Sequence, residues 1–123
     1  MSEFNPNIPI YIQIMNSIKQ EIVSGSLKPG DKLSSVRERA ESLSVNPNTV
    51  QRAYQELERE SVSETRRGMG SFIVEKDTLI SSLKTEMAQA VMKTFIEGMR
   101  GLGFRDDAIK QAIEREIDGG QTT

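Results

Sequence analysis

Apolar residues at the start of the chain recur with helical spacing. Ile10, Ile14, Ile18 and Ile22 step by four, with Met15 beside them, and predict a first helix of about four turns. Pro9 suits its first position, where a missing N–H costs nothing, and Gly25 ends it. Leu27-Lys-Pro-Gly-Asp-Lys-Leu33 reads as a turn, because Pro29-Gly30 breaks regular structure. Ser35 and Glu38 have the spacing of a capping box and open a second helix, with Ala40 and Leu43 facing a core. Ser44-Val45 makes a tight turn. Asn46 then caps a third helix, with Pro47 in its first position. Val50, Ala53, Tyr54 and Leu57 form the buried face of that helix. Asn48, Thr49, Gln51, Arg52 and Gln55 lie opposite, and such side chains can hydrogen-bond to base edges or phosphates.

The period then changes from helical to extended and back. Val62-Ser-Glu-Thr-Arg66 and Ser71-Phe-Ile-Val74 are rich in β-branched residues and flank Arg67-Gly-Met-Gly70, which predicts a hairpin. Beyond Glu75-Lys76-Asp77 the spacing is helical again. Ile80, Leu83, Met87, Val91, Phe95, Met99 and Leu102 step by three or four, and Ala88, Ala90, Met92 and Ile96 widen the stripe. Gly101-Leu-Gly103 interrupts it. Phe104, Ala108, Ile109, Ala112, Ile113 and Ile117 mark a shorter amphipathic helix, with Asp106 and Asp107 suited to its N-terminal dipole.

Two helices of this size cannot bury so broad an apolar surface against each other. Packing on the N-terminal domain is one solution. Pairing with a second copy is the favoured one, with Leu83, Met87, Val91, Phe95, Met99, Leu102, Ile109 and Ile113 at the dimer interface. The expected fold is therefore mainly α with a small β-hairpin. A winged helix-turn-helix spans residues 8–75, a two-helix dimerisation segment 76–118, and a disordered tail 119–123.

Composition narrows the chemistry. The chain of 123 residues has no cysteine and no histidine, which excludes disulfides, thiolate nucleophiles, Cys/His zinc sites and imidazole catalysis. Its acidic residues do not cluster as a loop ligand set, so no metal or cofactor is expected. No nucleophile–base pair or phosphate loop stands out, and Gly68-Met-Gly70 is too short for a nucleotide fingerprint, which argues against an enzyme. No apolar run approaches the roughly 20 residues of a membrane span. Met1-Ser-Glu-Phe-Asn-Pro6 is unlike a signal peptide, so a cytoplasmic protein without a membrane partner is expected. Net charge is −2, with 16 basic and 18 acidic residues, and residues 1–75 hold nine basic against ten acidic. DNA binding must therefore rest on where charge sits.

A helix-turn-helix followed by a basic hairpin reads double-stranded DNA through its second helix and hairpin tip. Each candidate residue also has a plainer role. Arg37 is in register to pair with Glu41 on its own helix, Asn46 can serve only as a cap, and any tight hairpin needs Gly68 and Gly70.

Six fragments in order resemble the GntR family of bacterial transcription regulators: Pro9-Ile-Tyr-Ile-Gln-Ile14, Leu27-Lys-Pro-Gly-Asp-Lys-Leu33, Ser35-Val-Arg-Glu38, Asn48-Thr-Val50, Ala53-Tyr-Gln-Glu-Leu57 and Arg67-Gly-Met-Gly-Ser-Phe72. The short C-terminal part is similar to that of the YtrA subfamily, which carries only a two-helix dimerisation segment. The resemblance implies that Arg37 contacts phosphate or bases. It implies that Asn46, Asn48, Thr49, Gln51 and Arg52 read the major groove, and that Arg67 and Gly68 enter the minor groove with Arg66 behind. It further implies a homodimeric repressor on a two-fold symmetric operator, often of an operon that also encodes an ABC transporter. Departures are Ser34 where proline is usual, Ser44 and Ser61 where glycine is usual, and Gln51 where some members carry a contacting arginine. The rival reading is a winged helix used as a protein-interaction module without sequence-selective DNA binding. A small-molecule effector stays open, since two helices leave little room for a pocket of about 300–1,000 Å³.

Overall fold

Pro9 stands just ahead of the first helix, α1 (Ile10–Ser24), as its N-cap, one residue earlier than expected. A proline loses nothing there, because that N–H lies outside the helical ladder. In the computed structural model, residues 4–121 form five helices and one two-stranded hairpin. The isoleucine stripe of α1 is buried at Ile14, Ile18 and Ile22, while Ile10 stays 39% exposed. Gly25 ends the helix in the left-handed conformation, at φ 91°.

The second helix, α2 (Val36–Leu43), carries both bonds of the expected capping box. The Ser35 N–H donates to Glu38 Oε1 at 3.0 Å, and the Glu38 N–H donates to Ser35 Oγ at 3.1 Å. The bond from the Ser35 backbone holds the Glu38 carboxyl below its ordinary pKa. The third helix, α3 (Pro47–Arg59), starts from Asn46, whose side chain accepts the Asn48 N–H at 2.8 Å, with Pro47 in the first turn. Its buried residues are Val50, Ala53, Tyr54 and Leu57, as the spacing predicts.

Strands β1 (Ser63–Arg66) and β2 (Gly70–Ile73) pair antiparallel, with Ser63 opposite Ile73 and Arg66 opposite Gly70. Gly68 sits at the tip with φ 76°, which a side chain would disfavour. The Gly30–Leu33 stretch does more than turn. Its N–H of Gly30 bonds Ile73 O, the Ile73 N–H bonds Asp31 O, and the Leu33 N–H bonds Ser71 O, each at 2.8 Å. It thus lies along the free edge of β2 as a short third rung, with Lys32 opposite Phe72.

The chain divides into two compact units, one up to Lys84 and one from Thr85 onward, so the division falls within α4 (Leu79–Gly101). Leu79 and Leu83 explain why it is not at residue 76. They are 5% and 4% exposed and belong to the core of the first unit with Ile14, Ile18, Leu57 and Ile73. Leu83, expected at a dimer interface, is therefore buried in the core of the single chain. Its stripe continues unbroken into residues with other surroundings, and periodicity alone does not say what covers each one.

In the second unit, α4 is followed by α5 (Asp106–Gln121). Arg100 donates twice to the Asp106 carboxylate, at 2.9 and 3.0 Å, which pushes the Arg100 pKa up and the Asp106 pKa down. Ile109, also expected at a dimer interface, is 4% exposed within the single chain. Val91, Phe95 and Leu102 remain 69%, 41% and 76% exposed. The expected tail is helical as far as Gln121; Thr122 and Thr123 lie outside the described residues. Each residue added to an existing helix gains a backbone hydrogen bond, which offsets a glycine cost of about 1 kcal/mol. No helix among the described residues is long and apolar enough to cross a membrane.

Three helices end in the same way. The N–H beyond a left-handed residue reaches back five positions: Val45 to Ala40 O, Val62 to Leu57 O and Phe104 to Met99 O. The left-handed residue reaches back three: Ser44 to Glu41 O, Ser61 to Glu58 O and Gly103 to Arg100 O. Glycine suits that position because it has no Cβ to clash. Here α2 and α3 use serine, with φ of 57° and 63°. Ser44→Gly and Ser61→Gly are each expected to raise stability by about 0.5–1 kcal/mol, the relief of a left-handed side chain less glycine's added unfolded-state entropy. Urea unfolding of the two variants checks this; midpoints at or below the parent's would show that neither serine is strained.

Candidate nucleic-acid interface

Helices α2 and α3 are held at their angle by polar bonds as well as by core contact. The Tyr54 hydroxyl donates to Ser34 O at 2.7 Å and accepts from Arg39 Nε at 3.2 Å, and Arg39 in turn lies 3.7 Å from Glu21. Burial pushes the Tyr54 phenol above its ordinary pKa, so it stays a donor at neutral pH. Tyr54, read from spacing as a core residue, is also the tie between α3 and the segment that enters α2. That segment holds Ser34, the position where proline was expected.

This frame leaves the first turn of α3 outward. Asn48 and Gln51 are exposed and Thr49 is half-buried. No acidic residue stands in that turn, so nothing there opposes the positive end of the helix dipole. Asn46 has its side-chain oxygen committed to the cap, leaving its amide nitrogen for other partners.

The structure sorts the basic residues into two groups. Lys19 bonds Glu60 at 2.6 Å, Arg59 lies 3.6 Å from Glu56, and Arg39 is held by Tyr54 and Glu21. Arg66, expected behind the wing tip, lies over the Phe72 ring at 4.1 Å and bonds Glu64 at 3.1 Å, with Glu75 at 3.7 Å. Its charge is spent within the hairpin. Arg37 and Arg67 are exposed and make no ion pair or hydrogen bond among the described residues. The Arg37–Glu41 pair allowed by helical register does not form. The near-neutral first half therefore holds its unpaired arginine charge at Arg37 on α2 and Arg67 at the wing tip, while Glu21, Glu56, Glu60, Glu64 and Glu75 face other cations.

Asn48, Thr49 and Arg52 come together on one recess with Ile10 and Tyr11. Arg37 and Arg67 stand on separate elements. Two residues of this surface were not singled out from sequence. Lys32 is exposed, and a Cβ on Gly70 would meet its side chain at 3.1 Å, so it flanks the wing. Only the third rung brings it there. Tyr11 touches Arg52, and its one signal was its place in the Pro9–Ile14 fragment.

A capped helix-turn-helix with a polar outward first turn and an arginine-tipped hairpin defines a winged-helix DNA-binding module. The bacterial regulatory proteins of the gntR family match residues 10–73, and the chain belongs to that family. It is 46% identical over 119 residues to the HTH-type transcriptional repressor YtrA of Bacillus subtilis (strain 168), across 92% of this chain and 90% of that protein. It is 42% identical over 119 residues to the uncharacterised HTH-type transcriptional regulator YhcF of the same strain, across 97% and 98%. Among solved structures, a GntR family transcriptional regulator from Listeria monocytogenes is similar, with a TM-score of 0.80 and 41% identity over 91% of this chain and 98% of that one. These relatives are regulators of transcription and not enzymes. The winged helix-turn-helix and the likeness to YtrA expected from sequence both stand.

Proposed function

We propose that this transcription regulator is a homodimeric, cytoplasmic repressor of a two-fold symmetric operator. The observation that carries the reading is the pair of exposed arginines without an ion pair or hydrogen bond among the described residues, Arg37 on α2 and Arg67 at the wing tip, beside an outward polar turn of α3. Arg37 grips phosphate. Asn46, Asn48, Thr49 and Gln51 face base edges in the major groove, and Arg67 with Gly68 lies along the minor groove. Arg66 shapes the wing and contributes little direct contact. The exposed stripe Val91, Phe95 and Leu102 supports pairing with a second copy, with half-buried Met87 and Met99 and with Ile113 beside it. YtrA, named as a repressor, supports repression. The target implied by the subfamily resemblance is an operon that encodes a transporter.

Selection of duplexes from a random pool by the purified protein tests this reading. An enriched inverted repeat is the expected result, and its half-site spacing would measure how the two modules are set. No enrichment by folded protein at low and moderate salt would favour the protein-interaction module. Within the selected site, Asn48→Ala is expected to cost about 1–3 kcal/mol at one base position per half-site. An unchanged base preference in that variant would remove Asn48 from the reading set.

A further inference from the structure

Arg52 is exposed like Arg37 but, unlike it, has a partner among the described residues. Its guanidinium carbon lies 4.0 Å from the centroid of the Tyr11 ring, and its Nη2 donates to the Tyr11 hydroxyl at 3.3 Å. The two residues are 41 positions apart and join the first turn of α1 to the middle of α3. Stacking and the hydrogen bond together limit the rotamers of a long side chain. They engage one face and one N–H of the guanidinium and leave its remaining donors for a planar or anionic acceptor.

The surface around this pair is a recess of about 340 Å³ lined by Ile10, Tyr11, Asn48, Thr49 and Arg52. It is shallow and open, a shape that suits a chain lying across it better than a free small molecule. One side is apolar: Ile10 is 39% exposed, and the Tyr11 ring is half-buried. The other side offers the Thr49 hydroxyl, the Asn48 amide and the Arg52 cation. A deoxyribose beside a phosphate has this same division into an apolar and an anionic part.

We infer that this recess seats one deoxyribose-phosphate unit of the operator backbone, and that Tyr11 is the positioning residue that aims Arg52 at its phosphate. The sugar lies against Ile10 and Tyr11, and the phosphate takes the free edge of Arg52. Stacking ties Arg52 to the first turn of α1, on the α1 side of the recess it shares with Asn48 and Thr49, so it meets the backbone at the flank and not a base at the groove floor. This assignment rests on the proposal that α3 enters the major groove.

The test uses the full chain and the selected operator duplex, with affinity measured across a range of KCl concentrations. Arg52→Ala is expected to weaken binding about 100-fold, as loss of one charge-assisted hydrogen bond in each half-site of a dimer does. The log–log salt slope should shrink by about 0.9 per half-site, with the enriched sequence unchanged. Tyr11→Leu should reproduce both effects and add little in the Arg52→Ala background. Tyr11→Phe keeps the ring and loses the hydroxyl, so it should fall between parent and Tyr11→Leu, with parental thermal unfolding. A Tyr11→Leu effect of equal size with and without Arg52 would overturn the positioning role. An altered base preference in Arg52→Ala with the salt slope intact would overturn the backbone seat. A parent that selects an inverted repeat, while the Tyr11 and Arg52 variants bind as it does, removes the seat alone. A folded parent that binds no duplex removes both this inference and the DNA-reading proposal beneath it.

Discussion

Val91→Glu is expected to leave a folded chain that no longer pairs and binds its operator about 100-fold more weakly or worse, because two linked modules lose their shared effective concentration. In the single chain Val91 is 69% exposed, so a charge there meets water and costs the fold little. At the face of a second copy the same carboxylate would be taken out of water unpaired, which costs several kcal/mol. Leu102→Glu, at 76% exposure, should behave alike. The pair of measurements is the solution mass by sedimentation equilibrium and the affinity for a full inverted repeat against a half-site. A dimer mass kept by both variants, with the preference for the full repeat intact, would move pairing to another surface. Leu83→Glu would be a misleading choice. Leu83 belongs to the core of the first unit, so its loss would unfold the module that binds DNA and mimic a pairing defect.

That contrast shows which features local pattern makes legible. The capping box at Ser35 and Glu38, and the Asn46-Pro47 start of α3, are decided within four residues and were readable directly. The glycine-like positions of Ser44 and Ser61 came from the family resemblance alone, and the left-handed backbone at each helix end is the physical reason for them. Non-local pairing was hidden. Gly30–Leu33 looked like a plain turn because the partner that makes it a rung, β2, lies about forty residues on. Arg66 and Arg67 are neighbours of one residue type, yet cross-strand contact with Phe72, with Glu64 two residues back on the same strand, holds one, while the other has no ion pair or hydrogen bond among the described residues. The Arg52–Tyr11 stack depends on where the first turn of α1 meets α3, which neither helix encodes alone. Leu83 and Val91 show the same limit for apolar residues: one stripe, one period, and different surroundings along it.

The division of the arginines gives a sharper expectation for the interface itself. Arg37→Ala should weaken binding to every duplex, selected or not, by about 100-fold for a dimer that loses one charge-assisted phosphate contact in each half-site. The salt dependence should fall by about 0.9 per half-site, and the order of preference among sequences should stay as it was. The reason is that Arg37 makes no ion pair or hydrogen bond among the described residues, so its full charge is available to release counterions, and its removal breaks no such contact in the fold. Arg67→Ala should act in the same direction at the wing. Arg66→Ala is the internal control. It removes the same formal charge one residue away, but that charge already faces Glu64 and Glu75 and covers Phe72, so the change should affect wing stability more than affinity. Affinities for the operator and for random duplex, taken at several salt concentrations, separate the three variants. An Arg66→Ala loss as large as that of Arg37→Ala, with the same fall in slope, would mean that DNA pulls Arg66 from its carboxylates and that pairing in the free protein does not decide which arginines bind.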